Sequence, residues 1–249
     1  MMQASRVLFV AWQDPQTRRI LPVARIAIRQ DAGYEFAYIE AVKDAQALGF
    51  LPLLSFPDLQ QVYRSRELWP LLHNRLLRSS RPDYADYLDQ LGLVTSSAEP
   101  FTVLGRSGGR RATDTLELFS PPTAMPDNRL SCVVLARGVR HLPGAEDAIA
   151  RLEPGDRLQV VADQTNQVNS RALRVCRLDA VVGYLPDYLA SELTVDAAKI
   201  DAVVRKVNPP PAPVHHRLLI EITFPAADPL PFSGGNYRPL SAEASSVAA

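Results

Sequence analysis

The chain has 249 residues, 47% of them apolar, and its 27 basic side chains are balanced by 27 acidic ones. That apolar share excludes wholesale disorder. A net charge near zero excludes a broadly basic nucleic-acid coat and a polybasic membrane anchor, while leaving room for a local basic patch. A chain of this length corresponds to one or two domains with a buried core. The two cysteines, Cys132 and Cys176, lie far apart and outside any C-x-x-C pair, as expected of two small buried hydrophobes rather than a disulfide scaffold. The apolar run Val7 to Val10 is too short for a secretory signal, and no apolar stretch reaches the length of a membrane span. A cytoplasmic protein is expected.

Residues 6 to 12 read as a buried strand. A turn at Asp14-Pro15 leads to an alternating partner over 20 to 29, and 34 to 38 reads as a third strand. A short helix is expected over 41 to 47, then extended chain over 51 to 57. Helical spacing begins near Val62 and restarts at Pro70, with Leu68, Leu71, Leu72, Leu76 and Leu77 as its apolar stripe. Pro82 and Asp83 open a helix over 82 to 91 that Gly92 stops. The Ser-, Thr-, Gly- and Pro-rich segment 94 to 129 is expected to hold one hairpin, between Val103-Leu104 and 116 to 119. Beyond Leu130 strands dominate, at 130 to 136, 157 to 162, 172 to 178, 180 to 184, 202 to 207 and 217 to 224. Short helices are expected near 145 to 151 and 186 to 193. The Ser- and Ala-rich residues 240 to 249 are expected to form a disordered tail.

No P-loop, zinc-ligand spacing or nucleophile elbow occurs. The glycine-rich stretch Gly105 to Arg111 suits a solvated hairpin tip; a phosphate-contacting loop using Arg106, Arg110 and Arg111 is the alternative. His215-His216 suits the start of a strand, one imidazole out and one in. No carboxylate pair is framed at a working separation. No catalytic residue, metal or cofactor is therefore expected, which favours a binding protein over an enzyme.

The stretch 137 to 193 carries the most information. It runs as a strand end with Gly138, Arg140 and Gly144, then a polar turn with Asp163, Asn166, Ala172 and Leu173. It closes on Gly183-Tyr184-Leu185-Pro186 followed by Leu189-Ala190. These three motifs, in this order, resemble the HIRAN domain. The resemblance implies an OB-like β-barrel. It also implies binding to the 3′ end of single-stranded DNA, with aromatics stacked on bases, an Asp on the 3′-hydroxyl, and Arg and Lys on phosphate. Several positions depart from the family pattern. His141 and Leu142 stand where the family has two tyrosines, and Val168 where it has a third. Asn169 replaces the hydroxyl-binding Asp, and Asp187 replaces a Lys. Asn166 and Asn169 are equally suited to a turn held by their own side chains.

The N-terminal half resembles the small N-terminal subdomain of HipA-type kinases through Tyr34-x-Phe36-x-Tyr38, Leu53 to Pro57, and Leu68 to Leu76. That resemblance implies a non-catalytic lobe and a protein partner, and the combination points to a bacterial source. The expected architecture is α+β. A small mixed domain over 1 to 119 and a linker over 120 to 129 precede an OB-like β-barrel, HIRAN-like domain over 130 to 239. The expected function is a non-catalytic nucleic-acid-binding adaptor that favours single-stranded DNA. The candidate site is Arg137, Arg140, His141, Asn166, Asn169, Arg171 and Tyr184. The alternative is a protein-interaction or antitoxin-like module partnering a HipA-type kinase or a helicase/ATPase.

Overall fold

A computed structural model describes residues 7 to 29 and 33 to 244. In chain order the elements are β1 (Val7–Gln13), β2 (Ile20–Ile28), β3 (Tyr34–Tyr38), α1 (Val42–Ala47), β4 (Tyr63–Ser65), α2 (Pro70–His73), α3 (Tyr84–Gln90), α4 (Pro100–Ser107), β5 (Leu116–Phe119), β6 (Thr123–Ala124), β7 (Arg129–Leu135), α5 (Ala145–Ile149), β8 (Arg157–Ala162), β9 (Leu173–Arg177), β10 (Ala180–Tyr184), α6 (Asp187–Glu192), β11 (Asp201–Val207) and β12 (Leu218–Pro225). No helix among the described residues is long and apolar enough to cross a membrane. The chain divides into two compact units that interleave in sequence. One takes the described residues of Met1–Arg81, Glu99–Pro121 and Pro229–Ala249; the other takes Pro82–Ala98 and Pro122–Asp228.

The first unit is an antiparallel sheet in the order β4-β3-β2-β1-β5. Alternation along β3, and along β2 across the register shift between Pro22 and Ala24, turns Val23, Ile26, Phe36 and Tyr38 into its core. Phe36 stacks on Phe56 with ring centroids 3.7 Å apart. The buried Tyr38 hydroxyl donates to Phe56 O and accepts from Leu53 N, both at 2.8 Å. Burial pushes its pKa up to about 12. These two bonds pin the chain that follows α1, which is the physical use of the Tyr and Leu-Pro patterning there. Arg75, its side chain 0% exposed, donates to Leu71 O (3.1 Å), Gly109 O (2.8 Å) and Asp114 Oδ2 (2.6 Å).

Three sequence expectations fail in this unit. The helix expected from Val62 is only the single turn α2, and Tyr63–Ser65 is instead an edge strand on β3. Leu71 and Leu72 reach the core from α2 and Leu68 and Leu76 from the chain on either side of it, so the apolar stripe extends beyond the helix. The hairpin expected between Val103-Leu104 and 116 to 119 is absent. Pro100 opens the helix α4, Gly108 ends it with φ +78°, and β5 pairs with β1. The glycine-rich stretch is therefore a helix exit rather than a hairpin tip. Finally, Leu240 N donates to Tyr38 O at 2.9 Å, so the start of the expected tail is part of the fold; residues 245 to 249 lie outside the described residues.

The second unit is a seven-stranded antiparallel sheet in the order β10-β9-β8-β11-β12-β7-β6. It includes α3, because Asn208 Nδ2 donates to Gln90 O at 2.9 Å and His216 Nδ1 lies 2.9 Å from Gln90 Oε1. The expected domain 1 to 119 therefore differs from the units: 82 to 98 belongs with the second, and 229 to 239 with the first. The expected closed barrel is likewise corrected to an open sheet. Beyond the last paired residues, β10 and the chain leaving β7 meet at one isolated bridge, Arg137 with Tyr184.

Gly183 makes that bridge possible. A Cβ there would stand 2.9 Å from Ala136 Cβ and 3.1 Å from Arg137 O. Gly183→Ala is therefore expected to lower stability by about 1–3 kcal/mol in denaturant unfolding. A loss under about 0.5 kcal/mol would mean that the two strands part without cost. Leu185, buried next to the bridge, is expected to cost about 2–4 kcal/mol on replacement by Ala; a change under about 1 kcal/mol would place it outside the core.

Candidate nucleic-acid interface

The bridge splices together two of the three motif segments. Arg137 N donates to Tyr184 O at 2.8 Å and Tyr184 N to Arg137 O at 2.9 Å. The ring of Tyr184 lies over Gly138, which has φ +73°; a Cβ there would be 3.1 Å from the ring. The third segment is tied on by Leu185 N, which donates to Leu173 O at 2.9 Å. Asp163 N donates to Ala172 O at 2.8 Å and so closes the turn that joins β8 to β9.

Asp163 is the polar centre of this assembly. Its carboxylate accepts from Tyr184 Oη (2.9 Å), Thr165 Oγ1 (2.7 Å) and Thr165 N (3.1 Å), and Arg174 Nε lies 4.0 Å away. The Thr165 hydroxyl foremost, helped by Tyr184 and Arg174 and opposed by burial, holds the carboxyl below the usual range. Burial first, and then Asp163, push the Tyr184 hydroxyl up; a hydrogen bond from Asn166 acts the other way. Arg174 Nε is enclosed and has no hydrogen-bond partner among the described residues. Asp163 matched the motif but was not among the candidate site residues. The signal available was Asp163's place in the motif, together with a buried acid's need for donors.

The seven candidates fall into three groups. Arg137, Tyr184 and Asn166 belong to the Asp163 assembly, Asn166 also holding its own turn by accepting from Val168 N and Asn169 N at 3.0 Å each. Arg140 and His141 are exposed beside it, with Arg140 Nε donating to His141 Nε2 at 3.1 Å. That bond leaves the imidazole as an Nδ1–H donor. Asn169 and Arg171 are engaged elsewhere. Asn169 Nδ2 donates to Asp187 Oδ1 and to Ser191 Oγ, and Arg171 Nη2 donates to Leu193 O at 2.9 Å. Both fasten the turn to α6. An amide donor at 169 thus faces an acid at 187. Among the described residues no three His, Cys, Asp or Glu side chains converge as a metal site.

Because the Asp163 carboxyl is held low in the folded state, its contribution is complete above the unfolded carboxylate range, roughly pH 4. It is lost as pH falls through the lowered folded value. Unfolding of wild type and Asp163→Asn from pH 7 to 3 should therefore show a stability gap that narrows below about pH 4; a gap independent of pH would mean that Asp163 contributes through shape alone.

No family model and no curated protein sequence matches the chain. Among solved structures, the HIRAN domain of human HLTF is similar at 18% identity, over 40% of this chain and 81% of that one, with a TM-score of 0.28. A protein from Lactobacillus plantarum is similar at 16% identity, over 38% of this chain and 96% of that one, with a TM-score of 0.29. Values of this size carry no argument about function.

Proposed function

We propose that the second unit is a HIRAN-like, non-catalytic nucleic-acid-binding module of a cytoplasmic adaptor, with single-stranded DNA as its favoured ligand. The observation that carries this reading is the convergence of the three motif segments: Arg137 and Gly138 against Tyr184, Asp163 under Tyr184, and Arg140 with His141 exposed beside them. A guanidinium fork and an imidazole N–H suit phosphate oxygens. The stacking tyrosines of the family pattern are replaced by His141, Leu142 and Val168, and Asn169 is held by Asp187. Affinity therefore rests on phosphate contacts, which makes it weak, salt-dependent and indifferent to the chemistry of the 3′ end.

A second reading, a protein-interaction role for the first unit with a HipA-type kinase or a helicase/ATPase, is favoured by one observation. On the chain after α1, Leu51 and Leu54 are 79% and 99% exposed, an apolar display unsuited to phosphate. Co-purification of such a partner, lost on Leu54→Ser, would support it over the first reading.

Fluorescence anisotropy with short single strands tests the first reading. Arg140→Ala should weaken binding several-fold and reduce the salt slope by about 0.7, the value for one phosphate contact on a single strand. Strands ending in 3′-hydroxyl and 3′-phosphate should bind alike. A strong 3′-hydroxyl preference would show that an end pocket survives, and absence of binding at low salt would remove the nucleic-acid reading.

A further inference from the structure

The surface around Arg140 does not end with the three motif segments. The turn Val139–His141 packs against a second turn, Val214–His216, that lies outside all of them. His215 and His216 have opposite fates there. His216 is buried beside Tyr87, its ring 6.1 Å from the tyrosine's, with Nδ1 2.9 Å from Gln90 Oε1. Burial foremost, then His215 and Arg137, push its pKa down to about 4; it is a neutral strut that fixes the turn. His215 is exposed, its ring 4.4 Å from that of His216. His215 thus stands on the turn that packs against Val139–His141.

We propose that His215 is a phosphate-contacting residue, which extends the basic surface of Arg137, Arg140 and His141 onto the second turn so that one single strand is met at more than one phosphate. This rests on the nucleic-acid reading above. Some of the neighbouring acids are engaged and others stand exposed. On α3, Asp89 is paired with Lys206 and Asp86 is exposed. On α5, Glu146 is paired with Arg217 at 3.0 Å, leaving exposed Asp147 as the opposing acid on that helix. An imidazole donates to a phosphate oxygen in either protonation state, and its position is set by a rigid neighbour rather than by a long flexible stem.

The experiment is anisotropy of the full chain with a fluorescein-labelled oligothymidylate single strand at low and moderate salt. The variants are His215→Ala, His215→Lys and, as control, His73→Ala, an exposed histidine of the first unit; unfolding midpoints confirm that each is folded. The expected result is a 3- to 10-fold loss for His215→Ala with a shallower salt slope, wild-type or tighter binding for His215→Lys, and no change for His73→Ala. Wild-type binding by His215→Ala, with the unmutated chain still binding, would overturn this inference and leave the proposed function intact. Failure of the unmutated chain to bind at all would overturn both.

Discussion

The second unit depends on the close approach of two backbones at one residue pair. Arg137 and Tyr184 exchange two hydrogen bonds at the point where β10 would otherwise be the free edge of an open sheet. Two glycines permit it, Gly183 against Ala136 and Arg137, and Gly138 against the Tyr184 ring. A single Cβ at either position meets atoms that have little room to move. The same pair sets the position of the Arg140-His141 turn and aims the Tyr184 hydroxyl at Asp163. The geometry of the candidate interface thus follows from a packing constraint before any ligand is considered.

Around that bridge the electrostatics are local. A chain with equal numbers of acids and bases offers no global field, so a basic surface arises only where acids are already engaged. Asp163 is turned inward onto Tyr184 and Thr165, Asp187 faces Asn169, and Glu146 and Asp89 are paired. The exposed basic side chains on the two adjoining turns are Arg140, His141 and His215.

Much of this was legible in the sequence, for identifiable reasons. The strands of the second half emerged close to their observed bounds because alternation and glycine or proline punctuation agree there. One imidazole of His215-His216 in and one out was also readable, although the pair sits on a turn ahead of β12 and not at the expected start of a strand. The helix expected from Val62 was not, because the leucines of 68 to 76 follow helical spacing although only Pro70–His73 is helical and Arg75 bonds instead to Gly109 O. Nor was α4, since Gly105 to Gly109 reads as a turn although Pro100 and Gly108 bracket a helix. The pairing of Asn169 with Asp187 and the contact between the turns at 139–141 and 214–216 join residues 18 or more positions apart. No local pattern reports contacts of that kind.

The most direct measurement is a ¹⁵N-detected titration of the full chain with a short single-stranded oligonucleotide, following backbone amides and arginine Nε–H signals. The account predicts shifts confined to Arg137–His141, Asp163–Asn166, Tyr184 and the turn at 214–216, with the first unit unmoved. Shifts concentrated in the first unit, or none at low salt, would contradict it.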